Sequence, residues 1–142
     1  MNGICEISVK FVHQSQGIIK SVMARSIEET LNRLDTSKFR SSFHLSKKDR
    51  EYIEEKGMDV IERHARDFVK MKLADPYPTN DGKQTPMSGH PVFKAMHGTA
   101  CCCRSCLNRW YKVPVGVPLD EVQQEKIVHL LMGWIERQKD RS

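Results

Sequence analysis

Between Gly89 and Tyr111 the chain reads GHPVFKAMHGTACCCRSCLNRWY, a run that holds two histidines and four of the five cysteines in the 142-residue sequence. Thiolate sulfur and imidazole nitrogen are the donors that zinc takes in a tetrahedron, so this run is a candidate metal centre. A helix from Thr99 through Trp110 places Cys102 four residues and Cys103 three residues before Cys106, which turns the three sulfurs toward one face. Cys101 falls farther round that helix and stays outside the set. His97, just ahead of the helix, is expected to reach the same end, with His90 or His64 as the completing donor. Iron–sulfur clusters also take thiolates, but mixed nitrogen and sulfur donors rank zinc first. Two other readings compete. Cys103 and Cys106 form a CxxC pair, yet lack the βαβ surroundings of a thioredoxin-like redox site. Alternatively, the cysteines are simply small buried side chains.

The elements around this run read as helical. Pro91 suits the first turn of a short helix, His90 or Gly89 its cap and Gly98 its stop. Asp120 with Gln123 forms a capping box for a final helix, whose apolar stripe is Ile127, Leu130, Leu131, Trp134 and Ile135. Ser46 with Asp49 repeats the box ahead of Tyr52, Ile53, Val60, Ile61, Ala65 and Phe68, with a break at Gly57. His64 shares a face with Val60, Ile61 and Phe68, which makes it the weakest ligand candidate. Ser26 with Glu29 opens an earlier helix carrying Ile27, Leu31 and Leu34. From Asp75 to Gly89 three prolines and two glycines impose a loop, with a turn at 80–83 that presents Lys83 and Gln84 either to the site or to solvent. At the N-terminus, Cys5, Ile7, Val9 and Phe11 alternate with polar residues, and a second apolar run spans 18–23. The expectation is a mainly α protein: one helical domain over 23–142, preceded by a hairpin or loose extension over 1–22.

A chain of this length, 39% hydrophobic and 29% charged, suits one folded domain. No apolar run approaches the roughly 20 residues of a membrane span. The N-terminus lacks the pattern of a secretory signal, which points to the cytosol and reduced thiols. Adjacent cysteines make a poor disulfide framework, because neighbours do not staple distant segments. The formal charge of +5 favours an acidic partner such as nucleic acid or a protein associated with it. Arg40, Lys47, Lys48, Arg104 and Arg109 are the candidate contacts. Phe39 and Phe43 alternate with Lys38, Arg40 and His44 in a pattern suited to base stacking, although phenylalanines in such a linker more often anchor it to the core. The turn over 113–119 is too long for a helix-turn-helix motif. A metal-dependent hydrolase or nuclease is the competing class, and its general base would come from Asp75 or Asp81. Nothing in the sequence sets an oligomeric state.

The strings HPVFKAMHGTACCCRSCLNRWYKVPVG, KFRSSFHLSKKDREYIEEKG, DVIERHA and NDGKQTPMSG resemble a small family of bacteria and their phages known as a domain of unknown function. The resemblance spans about Thr36 to Gln138. His64, His90, His97, Cys102, Cys103, Cys106 and Trp110 match the family's pattern. The chain departs from it at Tyr111, where the pattern has histidine, and at Cys101, where it has threonine. If that histidine is a ligand, the site here is rebuilt with Tyr111 or Cys101. The resemblance implies a bacterial or phage-infected cytoplasm and assigns no activity. It adds a third function class, a mobile-element protein that antagonises a host defence system.

Overall fold

The computed structural model describes residues 26–141, all of them in helices, turns and loops. The hairpin expected over 1–22 lies outside the described residues. Helix α1 covers 26–35 and already includes Ser26, expected as its cap. A single 3-10 turn, Arg40–Ser42, leads to α2 (Lys47–Lys56) and α3 (Met58–Leu73). After the long loop come α4 (Pro91–Gly98), α5 (Arg104–Tyr111) and α6 (Glu121–Asp140). Among the described residues, no helix is long and apolar enough to cross a membrane.

The capping signals act where their residues predict. Ser46 Oγ accepts from the Asp49 N–H at 3.1 Å while Asp49 returns a carboxylate oxygen to the Ser46 N–H at 2.8 Å. Asp120 and Gln123 do the same for α6, at 2.7 and 2.9 Å. Each box satisfies N–H groups that the first helical turn leaves unpaired. Gly57 separates α2 from α3 with a positive φ of 87°, a conformation that disfavours any side chain.

The core is built by α3, α4 and α6. Ile61, Ala65, Val69 and Leu73 recur every fourth residue on α3 and are fully buried. They meet Val128, Leu131 and Ile135 of α6 in the most extensive helix pairing. Val92, Ala95 and Met96 bring α4 onto the same core. Full burial of such a side chain contributes about 1.5–3 kcal/mol, so this shared apolar face is what positions α4 and the segment after it. Gly98 matters for proximity: a Cβ there would lie 2.6 Å from Trp134 Nε1. The reversal that ends α4 falls instead at Ala100, whose φ is 60°. The Cys101 N–H bonds the Met96 carbonyl at 2.8 Å and the Ala100 N–H the His97 carbonyl at 3.2 Å, the pairing of a Schellman motif.

That reversal corrects the expected helix from Thr99 to Trp110. With Ala100 left-handed and Cys103 extended (φ −159°), helical geometry resumes only at Arg104. Cys101, Cys102 and Cys103 therefore form an arch between two helices rather than a helical face.

Candidate metal centre

The arch converges the sulfurs by a different route from the one its spacing suggested. Cys102, Cys103 and Cys106 place their sulfurs within 4.8 Å of one another, all three residues buried. Cys106 is central, 3.1 Å from Cys103 Sγ and 3.6 Å from Cys102 Sγ. Cys103 is the N-cap of α5, and its sulfur accepts the Cys106 N–H at 3.3 Å. Asp81 reaches in from the loop to accept the Arg104 N–H at 2.8 Å and the Ser105 N–H at 3.1 Å, together with the Ser105 hydroxyl. The first turn of α5 is thus held by a sulfur and a carboxylate, both suited to its partial positive charge.

Arg40 closes the other side. It is 6% exposed and donates through Nη1 to Cys102 Sγ at 3.6 Å and to the His97 carbonyl at 2.9 Å, and through Nη2 to Cys106 Sγ at 3.3 Å. The hydrogen bond with Cys106 lowers the Cys102 thiol to about 7 against the opposing effect of burial, and Arg40 adds to the lowering. The same contact with Cys102 pushes Cys106 up, while burial raises Cys103. The trio therefore holds one readily ionised sulfur, Cys102, supported by the Cys106 thiol and the Arg40 guanidinium. A thiolate is the form that binds metal and attacks electrophiles.

Among the described residues, no histidine joins the three sulfurs. His97, expected as a ligand, is buried and directs Nε2 to the carbonyls of Thr85 at 3.0 Å and Pro86 at 3.1 Å, its ring stacked on Phe43. It braces the loop against α4. His64 and His90 meet each other instead, Nδ1 to Nε2 at 2.9 Å, among the rings of Tyr52, Phe68 and Phe93. His90 Nδ1 also accepts the Val92 N–H at 3.0 Å as the cap of α4. With that nitrogen an acceptor, neutral His90 carries its proton on Nε2 and donates to His64. A second proton on His90 breaks the cap.

Burial, reinforced by His64, accordingly lowers His90 from 6.5 to about 4. The unfolded chain binds more protons than the folded one between these values, so unfolding free energy is expected to be level above pH 6.5 and to fall as pH drops toward 4. A urea-denaturation series across that range checks it. His90→Asn, which keeps a capping acceptor and removes the titration, is expected to flatten the curve.

Two arginines expected to touch nucleic acid are placed elsewhere. Arg40 faces the thiols. Arg104 is 2% exposed and clamps four carbonyls: Leu73 (3.2 Å), Asp75 (3.0 Å), Pro114 (2.8 Å) and Val117 (2.6 Å). Burial removes both from any solvent-facing basic surface; Lys47, Lys48 and Arg109 remain exposed. Phe43 anchors the linker in the core, whereas Phe39 is 54% exposed beneath the Arg40 guanidinium. The two carboxylates considered as bases are engaged structurally. Burial disfavours ionised Asp81, but hydrogen bonds from Ser105, Gln84 and two backbone N–H groups outweigh it and hold the carboxyl below the usual range. Asp75 turns Oδ1 back to the Tyr77 N–H at 2.8 Å.

A family model described as a domain of unknown function, DUF4186, matches residues 28–136. The chain belongs to that family. No solved structure matches it. The DUF4186 match begins within α1 and ends within α6. Tyr111 and Cys101, the two positions expected to depart from the family's pattern, adjoin one another. Tyr111 donates its hydroxyl to the Thr99 carbonyl and hydrogen-bonds the side chain of Cys101, whose thiol burial pushes up to about 12. The Tyr111 hydroxyl is engaged by the Thr99 carbonyl, and Cys101 lies outside the sulfur trio.

Sequence reasoning missed Arg40 and Thr85 as parts of this centre, and brought Asp81 to it as a base rather than as the cap of α5. Thr85 Oγ1 donates to the Cys102 carbonyl at 2.8 Å and so fixes the arch to the loop. These contacts join residues 17 to 66 positions apart, and no local motif announces them.

Proposed function

We propose that the protein is a metal-stabilised helical module whose ion is held by Cys102, Cys103 and Cys106. The observation that carries this reading is the convergence of three buried sulfurs within 4.8 Å, with Arg40 donating to two of them. An ion there would add metal–sulfur bonds to the hydrogen bonds that fix the arch on the first turn of α5. Zinc is the first ion to test, since thiolates are its usual donors and it needs one more beyond these three. A hydrolase is less well supported, because Asp75 and Asp81 are committed to a turn and a helix cap.

The partner class that fits is nucleic acid or a protein associated with it. The support is a formal charge of +5 together with exposed Lys47, Lys48 and Arg109. Protein purified without added metal is expected to carry about one zinc per chain by elemental analysis, held by the three thiolates and one further donor. A folded, metal-free preparation that takes up no zinc would sink the reading. For the partner, retention on nucleic acid is expected to weaken steeply with salt and to drop on charge reversal at Lys47, Lys48 and Arg109. Unchanged retention would remove that surface from consideration.

A further inference from the structure

We infer that Arg40 is the charge-matching residue of the thiol centre and sets its preference for a divalent ion. The inference rests on the metal reading above and concerns which ion the site selects. Metal binding requires the thiols to be deprotonated, so an occupied centre holds three negative charges in buried surroundings. A divalent ion leaves one negative charge over. An uncompensated charge in such a place is strongly disfavoured, whereas a paired and hydrogen-bonded one is tolerated.

Arg40 supplies the compensation in the right place. Its guanidinium is buried, always charged, and forked across Cys102 Sγ at 3.6 Å and Cys106 Sγ at 3.3 Å. The His97 carbonyl at 2.9 Å and the ring of Phe39, 4.9 Å from Arg40 Cζ, hold it there. Among the described residues, Arg40 has no carboxylate ion pair. Its charge is therefore available to the sulfurs. Asp81, whose charge is felt at Cys103, is exposed and turned to the N–H groups of α5. Three thiolates, one guanidinium and a divalent ion form a neutral set. A monovalent ion leaves the set negative, and a trivalent one leaves it positive.

The roles separate in a binding experiment with Zn(II), Cd(II) and arsenite, the last as a trivalent thiol-seeking probe. Arg40→Gln keeps donors but loses the charge; it is expected to weaken Zn(II) and Cd(II) binding about 10- to 100-fold, the range seen when groups supporting metal ligands are changed. Arsenite should bind Arg40→Gln at least as tightly as the wild type. Arg40→Lys, which keeps the charge, should stay closer to the wild type for both divalent ions. Equal Cd(II) affinity in Arg40→Gln and wild type, or a parallel loss of arsenite, overturns the inference and leaves the centre standing. If Arg40→Gln loses its helical circular dichroism, Arg40→Lys decides: a loss of Cd(II) affinity as large as that of Cys106→Ser overturns the charge role. Failure of the wild type to bind any of the three probes removes the metal reading itself.

Discussion

Arg104→Met is expected to lower the unfolding free energy by about 2–4 kcal/mol, more than replacement of any exposed arginine. Methionine fills most of the volume, so the loss is not chiefly one of packing. It comes from the carbonyls of Leu73, Asp75, Pro114 and Val117, which the guanidinium gathers within 2.6–3.2 Å. Replacing both sides of a buried polar contact by apolar groups is often neutral, but backbone carbonyls cannot be replaced. The Leu73 carbonyl bond is buried, and the other three are partly so. Arg104→Lys offers no planar fork for four acceptors and should recover only part of the loss. Guanidinium-chloride unfolding at matched slopes measures both variants. A stability for Arg104→Met equal to that of the wild type would show that the clamp contributes nothing net.

Cys106→Ser should abolish ion retention and the stability that depends on it. Cys106 is the sulfur shared by both close contacts, so its loss leaves two thiols that no longer enclose a common point. An ion present at 1,000 times its dissociation constant stabilises the folded state by about 4 kcal/mol. A chelator is thus expected to lower the wild-type melting temperature markedly and to leave Cys106→Ser unmoved. Cys101→Ala is the control, because Cys101 is equally buried but stands outside the trio. If chelation shifts neither protein, the thiols are structural cysteines without an ion.

Local chemistry was legible wherever it stayed local. The capping boxes at Ser46 and Asp120, the break at Gly57 and the apolar stripe from Ile127 to Ile135 depend on residues a few positions apart, and the structure bears each of them out. The convergence of Cys102, Cys103 and Cys106 was also legible, though its stated cause was not. A left-handed Ala100 in place of the expected glycine ended α4, and no propensity argument selects alanine for that conformation. The cap and brace roles of His90 and His97 were not legible, because a side chain rich in metal chemistry is equally a good cap and brace. Arg40 and Arg104 looked like surface charge in the sequence. Their burial follows from carbonyls and sulfurs brought near only by the tertiary fold.

The loop that supplies Asp81 and Thr85 also governs the order in which the molecule is assembled. Neither the arch nor the first turn of α5 is completed by its own neighbours; both wait for groups from the far side of α4. Contacts of that sequence separation carry a loop-closure penalty that must be met before they stabilise anything. Until the loop docks, the thiols of Cys101, Cys102, Cys103 and Cys106 remain open to one another and to oxidants in a nascent chain. The interval between collapse and docking is therefore when mispaired cross-links form, and refolding yield should depend on reductant far more than the finished protein does.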